Sequence, residues 1–388
     1  FVLVLGNSLD IGTPSDNTIT TAKLSNNAVT NAKLSFNANQ YRNIIINGDM
    51  SIAQRATSTS SITSTGYHTI DRFSSLISSA GTWTQSQSTE VPSGQGFGYS
   101  LKMDCTTADA SLSAGDYCII NQKFEGQNLQ YLKKGTSSAE SLTLSFWVRS
   151  NKTGTYICEL NDVDNTRQIS KSYTISSADT WEKKTLTFAG DTSGAFNNDN
   201  THALDIRWWL AAGSTWTSGT LSTSWTSSTS SGDLAAGQVN LADSTSNEWY
   251  ITGIQLEAGT SASDFEFLPH DINLQRCQRY FCTTDTVGTV QAGYPARAFS
   301  TSGLAFAVPL PEPLRASPTV TLVGTLRAFA GDSASYKDST TNLSVGGYTN
   351  LNSNLISLQS TGFSSVTDNK AYNIMSINDT QIKFDAEL

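Results

Sequence analysis

Charge is scarce in this chain. Only 15% of its 388 residues are Asp, Glu, Lys or Arg, and the balance is acidic, with a formal net charge of -9. Such a chain offers no electrostatic footprint for a nucleic-acid backbone or an anionic membrane surface, so neither is expected as a partner. Proline is rare, at 8 against 28 glycines, which excludes a proline-rich stalk and leaves strand-and-turn material. The three histidines, His68, His202 and His270, never pair at i,i+4, so there is no HExxH zinc motif. No G-x-S-x-G nucleophile elbow is present either. The cysteines number five, Cys105, Cys118, Cys158, Cys277 and Cys282. An odd, sparse set is no disulfide scaffold, and free thiols in a protein made in a reducing cytoplasm are expected. Long apolar runs are missing too, so no membrane insertion is expected. The opening FVLVLG is too short for a signal h-region and has no basic flank. An initiator Met is also lacking, and the chain reads as the C-terminal part of something longer whose missing part carries the attachment.

What is present first is a tandem repeat. Residues 17–26 read NTITTAKLSN and residues 27–36 read NAVTNAKLSF. The apolar anchors Ile19, Leu24, Val29 and Leu34 recur every five residues, a spacing that fits neither an amphipathic helix nor an alternating strand. Ordering such a segment costs about 1–2 kcal/mol of backbone entropy per residue, more than isolated anchors return. Repeats of this kind bury their anchors against copies of themselves. Two copies are too few to stack within one chain, so the expected partner is another chain wound about a shared axis.

Beyond residue 40 the texture changes to short strands at close spacing. INGDMSIAQR (46–55), DRFSSLI (71–77), GYSLKMDC (98–105), YCIINQKFEG (117–126), LTLSFWVRS (142–150), GTYICELND (154–162), KKTLTFAG (183–190), LDIRWWLAA (204–212) and NEWYITGIQLEAG (247–259) follow one another without helices. Leu142, Leu144, Phe146 and Val148 share one face of their strand. This pattern predicts an all-β chain built on a jelly-roll sandwich. The expected organisation is a trimerisation collar over 1–40, a jelly roll over 41–270, a linking helix over 271–283 and a small C-terminal β-sandwich over 284–388. Asp271 is the expected N-cap of the helix, after Pro269.

Candidate chemistry is thin. GQGFG (94–98) leads into a strand instead of a helix and reads as a turn. DVDN (162–165) starts like a calcium loop, but Arg167 and Tyr173 stand where an EF-hand needs Gly and Glu. A structural calcium between jelly-roll loops stays open, with Asp162, Asp164, Asp191 or Asp199 as donors; no other cofactor is indicated. The aromatics are the strongest hint, with 8 Trp and 13 Tyr. A pyranose stacks its C–H face on an exposed ring while short polar side chains take its hydroxyls. Trp147, Trp208, Trp209 and Trp225 read as core or framework. Trp83 and Trp216 are flanked by small polar residues and are candidate platforms. Tyr336, Tyr348, Phe363 and Tyr372 fall in Gly/Ser/Asn-rich stretches of the last module, where recognition loops are expected.

Several blocks in a fixed order, IINGDMSIAQR…DRFS, EGQNLQYLKKG, LTLSFWVRSNKTG, TWEKKTLTFAGDTSG, WYITGIQLEAG and LQRCQRYF, resemble the C-terminal region of tail fibre proteins from tailed bacteriophages. The phages concerned are notably those of marine bacteria and cyanobacteria. The upstream TITTAKLS and AVTNAKLS repeats resemble the collar preceding such regions. The resemblance covers roughly residues 17–283, and beyond them only RASPTV is typical. It implies a homotrimeric virion fibre with a jelly roll related to carbohydrate-binding modules and a tip that meets a host-surface receptor, most simply a glycan. No enzyme is expected, because no coil-sized repeat after residue 36 would present paired carboxylates, and Asp104, Glu125, Glu159 and Asp162 cannot be paired from sequence. It further implies assembly in the host cytoplasm, placement in the virion tail, and contact with other tail proteins through the missing N-terminal part. Two alternatives stay open: a tailspike-type polysaccharide depolymerase, and a carbohydrate-binding module of a secreted bacterial protein. Chain order places receptor contact in 284–388. Composition by itself reaches only an acidic, all-β, self-associating chain.

The repeat yields a first prediction. Light scattering of the native protein should give three chains per particle, and a deletion of 17–36 should give fewer. A two-chain particle would contradict the three-fold winding of Ile19, Leu24, Val29 and Leu34.

Overall fold

A computed structural model describes residues 41–284, 291–330, 336–340, 343–346 and 354–388. The repeat with its four anchors, and Tyr348, lie outside the described residues. The first module contains β1 (Ser58–Gly66), β2 (Ser74–Ser88), β3 (Ser100–Thr107), β4 (Tyr117–Glu125), β5 (Leu142–Ser150), β6 (Gly154–Asp162) and β7 (Arg167–Ile175). It continues through β8 (Glu182–Phe188), β9 (His202–Ala212), the single turn α1 (Ser214–Thr217), β10 (Thr226–Ser227) and β11 (Glu248–Ala258). Of the strand, turn at Asn47–Gly48 and extended chain expected over 46–55, the turn forms, with Asn47 and Met50 at positive φ, and no regular strand flanks it.

The strands run in one hydrogen-bonded order, β10-β7-β6-β9-β4-β2-β3-β11-β5-β8, with β1 laid along β2. The order folds into two layers because β2 serves both. Its first half pairs with β4 and its second half with β3. The corner lies at Ser79 and Gly81, both at positive φ. A Cβ on Gly81 would sit 2.6 Å from the Thr107 carbonyl oxygen, so only glycine passes there. The layers face each other through rings: Phe146 of β5 lies 5.1 Å from Tyr173 of β7 and 6.1 Å from Trp208 of β9, centroid to centroid. Leu142, Leu144, Phe146 and Val148 are buried as expected. Trp83, Trp208 and Trp249 are wholly buried with them. Each such ring contributes about 4–6 kcal/mol of transfer free energy. This is a jelly-roll sandwich.

Helix α2 (His270–Gln278) starts one residue earlier than expected, with Pro269 at the N-cap and Asp271 in the first turn. It is shorter than the expected linker, because Phe281 and Cys282 already belong to a strand, β12 (Phe281–Thr284). The second module adds β13 (Gln291–Ala298), β14 (Leu304–Pro309), β15 (Thr319–Phe329), β16 (Lys337–Ser339), β17 (Leu343–Val345), β18 (Leu355–Ser360) and β19 (Ala371–Asp385). These form a second antiparallel sheet around its own core, which includes Leu304, Phe306, Leu326, Leu358, Ile374 and Phe384. All five cysteines are free and buried.

The two modules are joined by buried arginines. Arg72 donates to the Glu387 carboxylate and, at 2.7 Å, to the Lys123 carbonyl. Its guanidinium lies 3.5 Å from the Tyr280 ring centroid. Arg55 reaches Asp385 at 3.1 Å and Glu387 at 3.4 Å, and stacks on Phe281 at 3.7 Å. From the other side Arg315 donates to the carbonyls of Ala386, Glu387 and Asn200 at 2.8–3.0 Å.

Removing one partner of a buried ion pair costs about 3–5 kcal/mol, because the remaining charge is stranded. Glu387→Ala should therefore lower the unfolding free energy by that order in urea titration. A chain cut after Phe281 strands Arg72 as well and should not give a folded jelly roll. A change below about 1 kcal/mol for Glu387→Ala would show that the joint contributes little.

Candidate functional site

Alternation along the strands builds a polar outer face on the β7-β6-β9-β4 layer. On β9 the apolar Leu204, Ile206 and Trp208 point into the sandwich, so Asp205, Arg207 and Trp209 point out. Strand register then sets them in rows. Ser170, Glu159, Arg207, Asn121 and Ser74 follow one another across five strands. Gln168, Asn161, Asp205 and Lys123 form the next row.

These side chains are cross-linked. Arg207 donates Nε to Asp205 at 2.8 Å and Nη1 to Glu159 at 3.3 Å. Trp209 donates its indole N–H to the other Glu159 oxygen at 2.9 Å. Asn161 and Asn121 donate to Asp205 at 2.8 and 3.3 Å. Ser74 donates to Asn121, and His202 lies 3.7 Å from Asp205. Burial by itself would raise the Asp205 carboxyl, but the Arg207 guanidinium, with His202 and Asn161, holds it well below the usual carboxylate range. Glu159 goes the other way: burial pushes it up and Arg207 offsets only part. Arg207 retains some solvent exposure, at 20% of its side chain, while the acids have almost none. Gln168 is buried with both amide atoms unpaired, in the row of Asn161 and Asp205.

One end of this face carries aromatic rings. Trp216 of α1 is half-buried, edge-on to Tyr117 at 5.5 Å and tilted against Trp209 at 5.8 Å. Its indole N–H donates to the Gly115 carbonyl at 3.2 Å, which fixes the ring plane. Leu234 and Ala235 pack against Trp209 from the loop beyond α1 and wall this end.

The other candidates divide. Trp83 is not a platform: it is wholly buried and donates to the Ala80 carbonyl at 2.7 Å. Phe363 and Tyr372 are not recognition residues either, since both lie in the second core. The Tyr372 hydroxyl accepts from the Thr367 N–H, which closes a turn. Their Gly/Ser/Asn-rich flanks marked turns folding onto the core instead of free loops. Tyr336 is 58% exposed, edge-on to Phe329 and held under Arg327 at 4.9 Å. Sequence reasoning noted Glu159 as a carboxylate without a partner and missed Arg207, Asp205, Asn121 and Gln168. The signal for Glu159, Asp205 and Arg207 was polar residues at i,i+2 inside two otherwise apolar strands, ELND and LDIRW.

Two of the calcium candidates are engaged by a lysine. The Lys134 ammonium sits between Asp162 at 2.6 Å and Asp191 at 3.1 Å. It donates also to the Ser193 and Gly194 carbonyls at 2.8 and 2.7 Å, as a coordinated cation would be held. Asp164 binds Asn197, and Asp199 binds Thr201. Among the described residues no group of three His, Cys, Asp or Glu gathers at one point.

No protein-family model matches the chain, and no curated protein matches it in sequence. Among solved structures it is similar to the enzymatically active domain of tailspike protein 4 of bacteriophage CBA120, at 13% identity and a TM-score of 0.30. That match covers 56% of this chain and only 22% of the tailspike chain. A putative sugar-binding protein from Bacteroides thetaiotaomicron is matched over 56% of this chain and 100% of its own length, at 13% identity and TM-score 0.30. A family 11 carbohydrate-binding module from Clostridium thermocellum is matched over 53% of this chain and 98% of its own, at 11% identity and TM-score 0.27. These likenesses are distant in both sequence and shape.

If Lys134 fills the cation position, divalent chelators should leave the wild-type melting temperature unchanged. Lys134→Ala should lose about 3–5 kcal/mol, because Asp162 is then buried without a cation. Differential scanning calorimetry with and without EGTA checks both. A fall in wild-type melting temperature on chelation would restore the calcium reading.

Proposed function

We propose that the chain is the adhesive part of a trimeric phage tail fibre, and that the outer face of its jelly roll binds a host-surface glycan. The observation that carries this reading is the juxtaposition of a planar polar floor with an aromatic edge. Arg207, held from below by Asp205 and Glu159 and still partly exposed, presents a fixed donor beside Tyr117 and Trp216. Saccharides need this pairing, since ring faces stack on aromatics while hydroxyls demand directional partners. The ordered sequence blocks, from INGD to LQRCQRYF, supply the tail-fibre part, and the decapeptide repeat supplies the trimer. Assembly in the host cytoplasm agrees with five unpaired thiols. The protein would then sit in the virion tail, joined to other tail proteins upstream.

Binding is favoured over cleavage by the state of the carboxyls. Glu159 and Asp205 are the two acids on the face, and the split in their proton affinity is of the kind an acid–base pair shows. Both are shut from solvent and already engaged by Arg207, so neither meets a glycosidic bond. Receptor contact by the second module keeps one described candidate, Tyr336.

Trp216→Ala should weaken binding of purified host-surface polysaccharide at least about tenfold while the thermal transition stays intact. Salt should weaken wild-type binding only slightly, because the contacts are short-range. The same incubation, assayed for new reducing ends, should show none. Wild-type affinity in Trp216→Ala would remove the outer face from consideration, and new reducing ends would establish the depolymerase.

A further inference from the structure

A cleft of about 360 Å³ opens between α2 with the turn after it, the end of β4 and the segment from Tyr41 to Ile46. Its size lies at the lower end of the roughly 300–1,000 Å³ usual for small-molecule sites. Ile44, Ile46, Phe124 and Tyr280 line its inner side, while Tyr41 and Tyr131 stand at its mouth, 71% and 50% exposed. Two arginines of α2 and its C-terminal turn, Arg276 and Arg279, enter it.

The arginines are in different states. Arg279 makes a bidentate pair with Glu125 at 2.9 and 2.8 Å, and the Tyr280 hydroxyl donates to the same carboxylate. That charge is spent. Arg276 makes a single long hydrogen bond, 3.5 Å to the Asn43 carbonyl, and no ion pair among the described residues. The acids around it are taken: Glu125 by Arg279, and Glu266 by the N–H groups of Arg42 and Asn43 at 2.9 Å each. Burial accordingly lowers the pKa of the Arg276 guanidinium from its ordinary value, as expected for a cation removed from water without a partner. A half-buried guanidinium beside exposed tyrosines is a receptor for a planar anion on an apolar ring.

We infer that this cleft is a second saccharide site, specific for a carboxylate-bearing sugar such as a hexuronic acid. The carboxylate pairs with the free fork of Arg276, and the sugar's C–H face stacks on Tyr131, with Tyr41 beside it. Gln127 and Asn128 on the rim take hydroxyls. The site does not depend on the outer face, and the two differ in what they select: stacking and neutral donors there, charge here.

The test uses calorimetric titration of the full chain with an oligoglucuronic acid and with its carboxyl-reduced, neutral counterpart. Ionic strength is held at about 0.15 M, where attraction beyond roughly 8 Å is screened. The acid form should bind at least about tenfold more tightly than the reduced form. Arg276→Gln should abolish that preference, and Arg276→Lys should retain part of it, since the charge stays and the fork is lost. Tyr131→Ala should weaken both forms, and serves if Arg276→Gln fails to fold. Trp216→Ala should leave the preference intact. The inference is overturned if the acid form is not preferred, or if neither form binds because another part of the assembly fills the cleft. It is overturned equally if the preference survives Arg276→Gln or disappears in Trp216→Ala.

Discussion

Arg72 is the constraint from which the arrangement of this molecule follows. Its side chain is 1% exposed, so its charge must be met inside the protein. The partner comes from the far end of the chain, Glu387, two residues past the end of β19, the strand of the other module that pairs with β12. A ring from the turn after α2, Tyr280, covers its face. The jelly roll therefore completes its own ion pairing only when the last residues have come back to it. A desolvated arginine without its carboxylate is worth several kcal/mol in the wrong direction. The second module is consequently held as a continuation of the first, and residues 281–283, read from sequence as linker, are part of its sheet.

The same physics connects the sequence blocks to one another. INGD supplies Asn47, whose amide donates to the Ile52 and Asp71 carbonyls, and Gly48, where a Cβ would meet the Ile254 carbonyl oxygen at 2.1 Å. The following AQR supplies Gln54, which donates to the Phe281 carbonyl, and Arg55. DRF supplies Asp71, Arg72 and Phe73. LQRCQRYF supplies the helix face and strand that receive them. Asn273 closes the set by donating to Asp49 and Ser51. Blocks separated by more than two hundred residues meet at one joint, and each contributes groups that are costly to bury alone.

How much of this was legible divides along the range of the interactions. The all-β architecture and the strand faces could be read because alternation is local, as Leu142 to Val148 show. Free thiols could be read from the count. What failed depended on partners far away in sequence. Trp83 has small polar neighbours along the chain, yet it faces β3 and β1 across the sheet, paired with Cys105 and Ile62. Phe363 and Tyr372 sit among turn-forming residues, but those turns fold back onto a core. The aspartates of DVDN resemble ion ligands until Lys134 arrives from a loop some thirty residues earlier. The outer face escaped notice because Glu159 and Arg207, 3.3 Å apart, are separated by nearly fifty residues of sequence.

Placing a lysine between Asp162 and Asp191 has a consequence for the proposed adhesion. A structural metal would tie the sandwich loops to the ionic composition of the medium, whereas an ammonium held by two carboxylates and two carbonyls travels with the chain. Recognition by the outer face, as proposed, rests on fixed donors and rings rather than on loop order. An acidic chain gains nothing from long-range attraction to an acidic cell envelope, since like charges repel until screened. Its contacts have to be made within a few ångströms, by groups already held in place. Arg207, locked between Asp205 and Glu159, and Trp216, fixed by its bond to Gly115, satisfy that requirement before any ligand arrives.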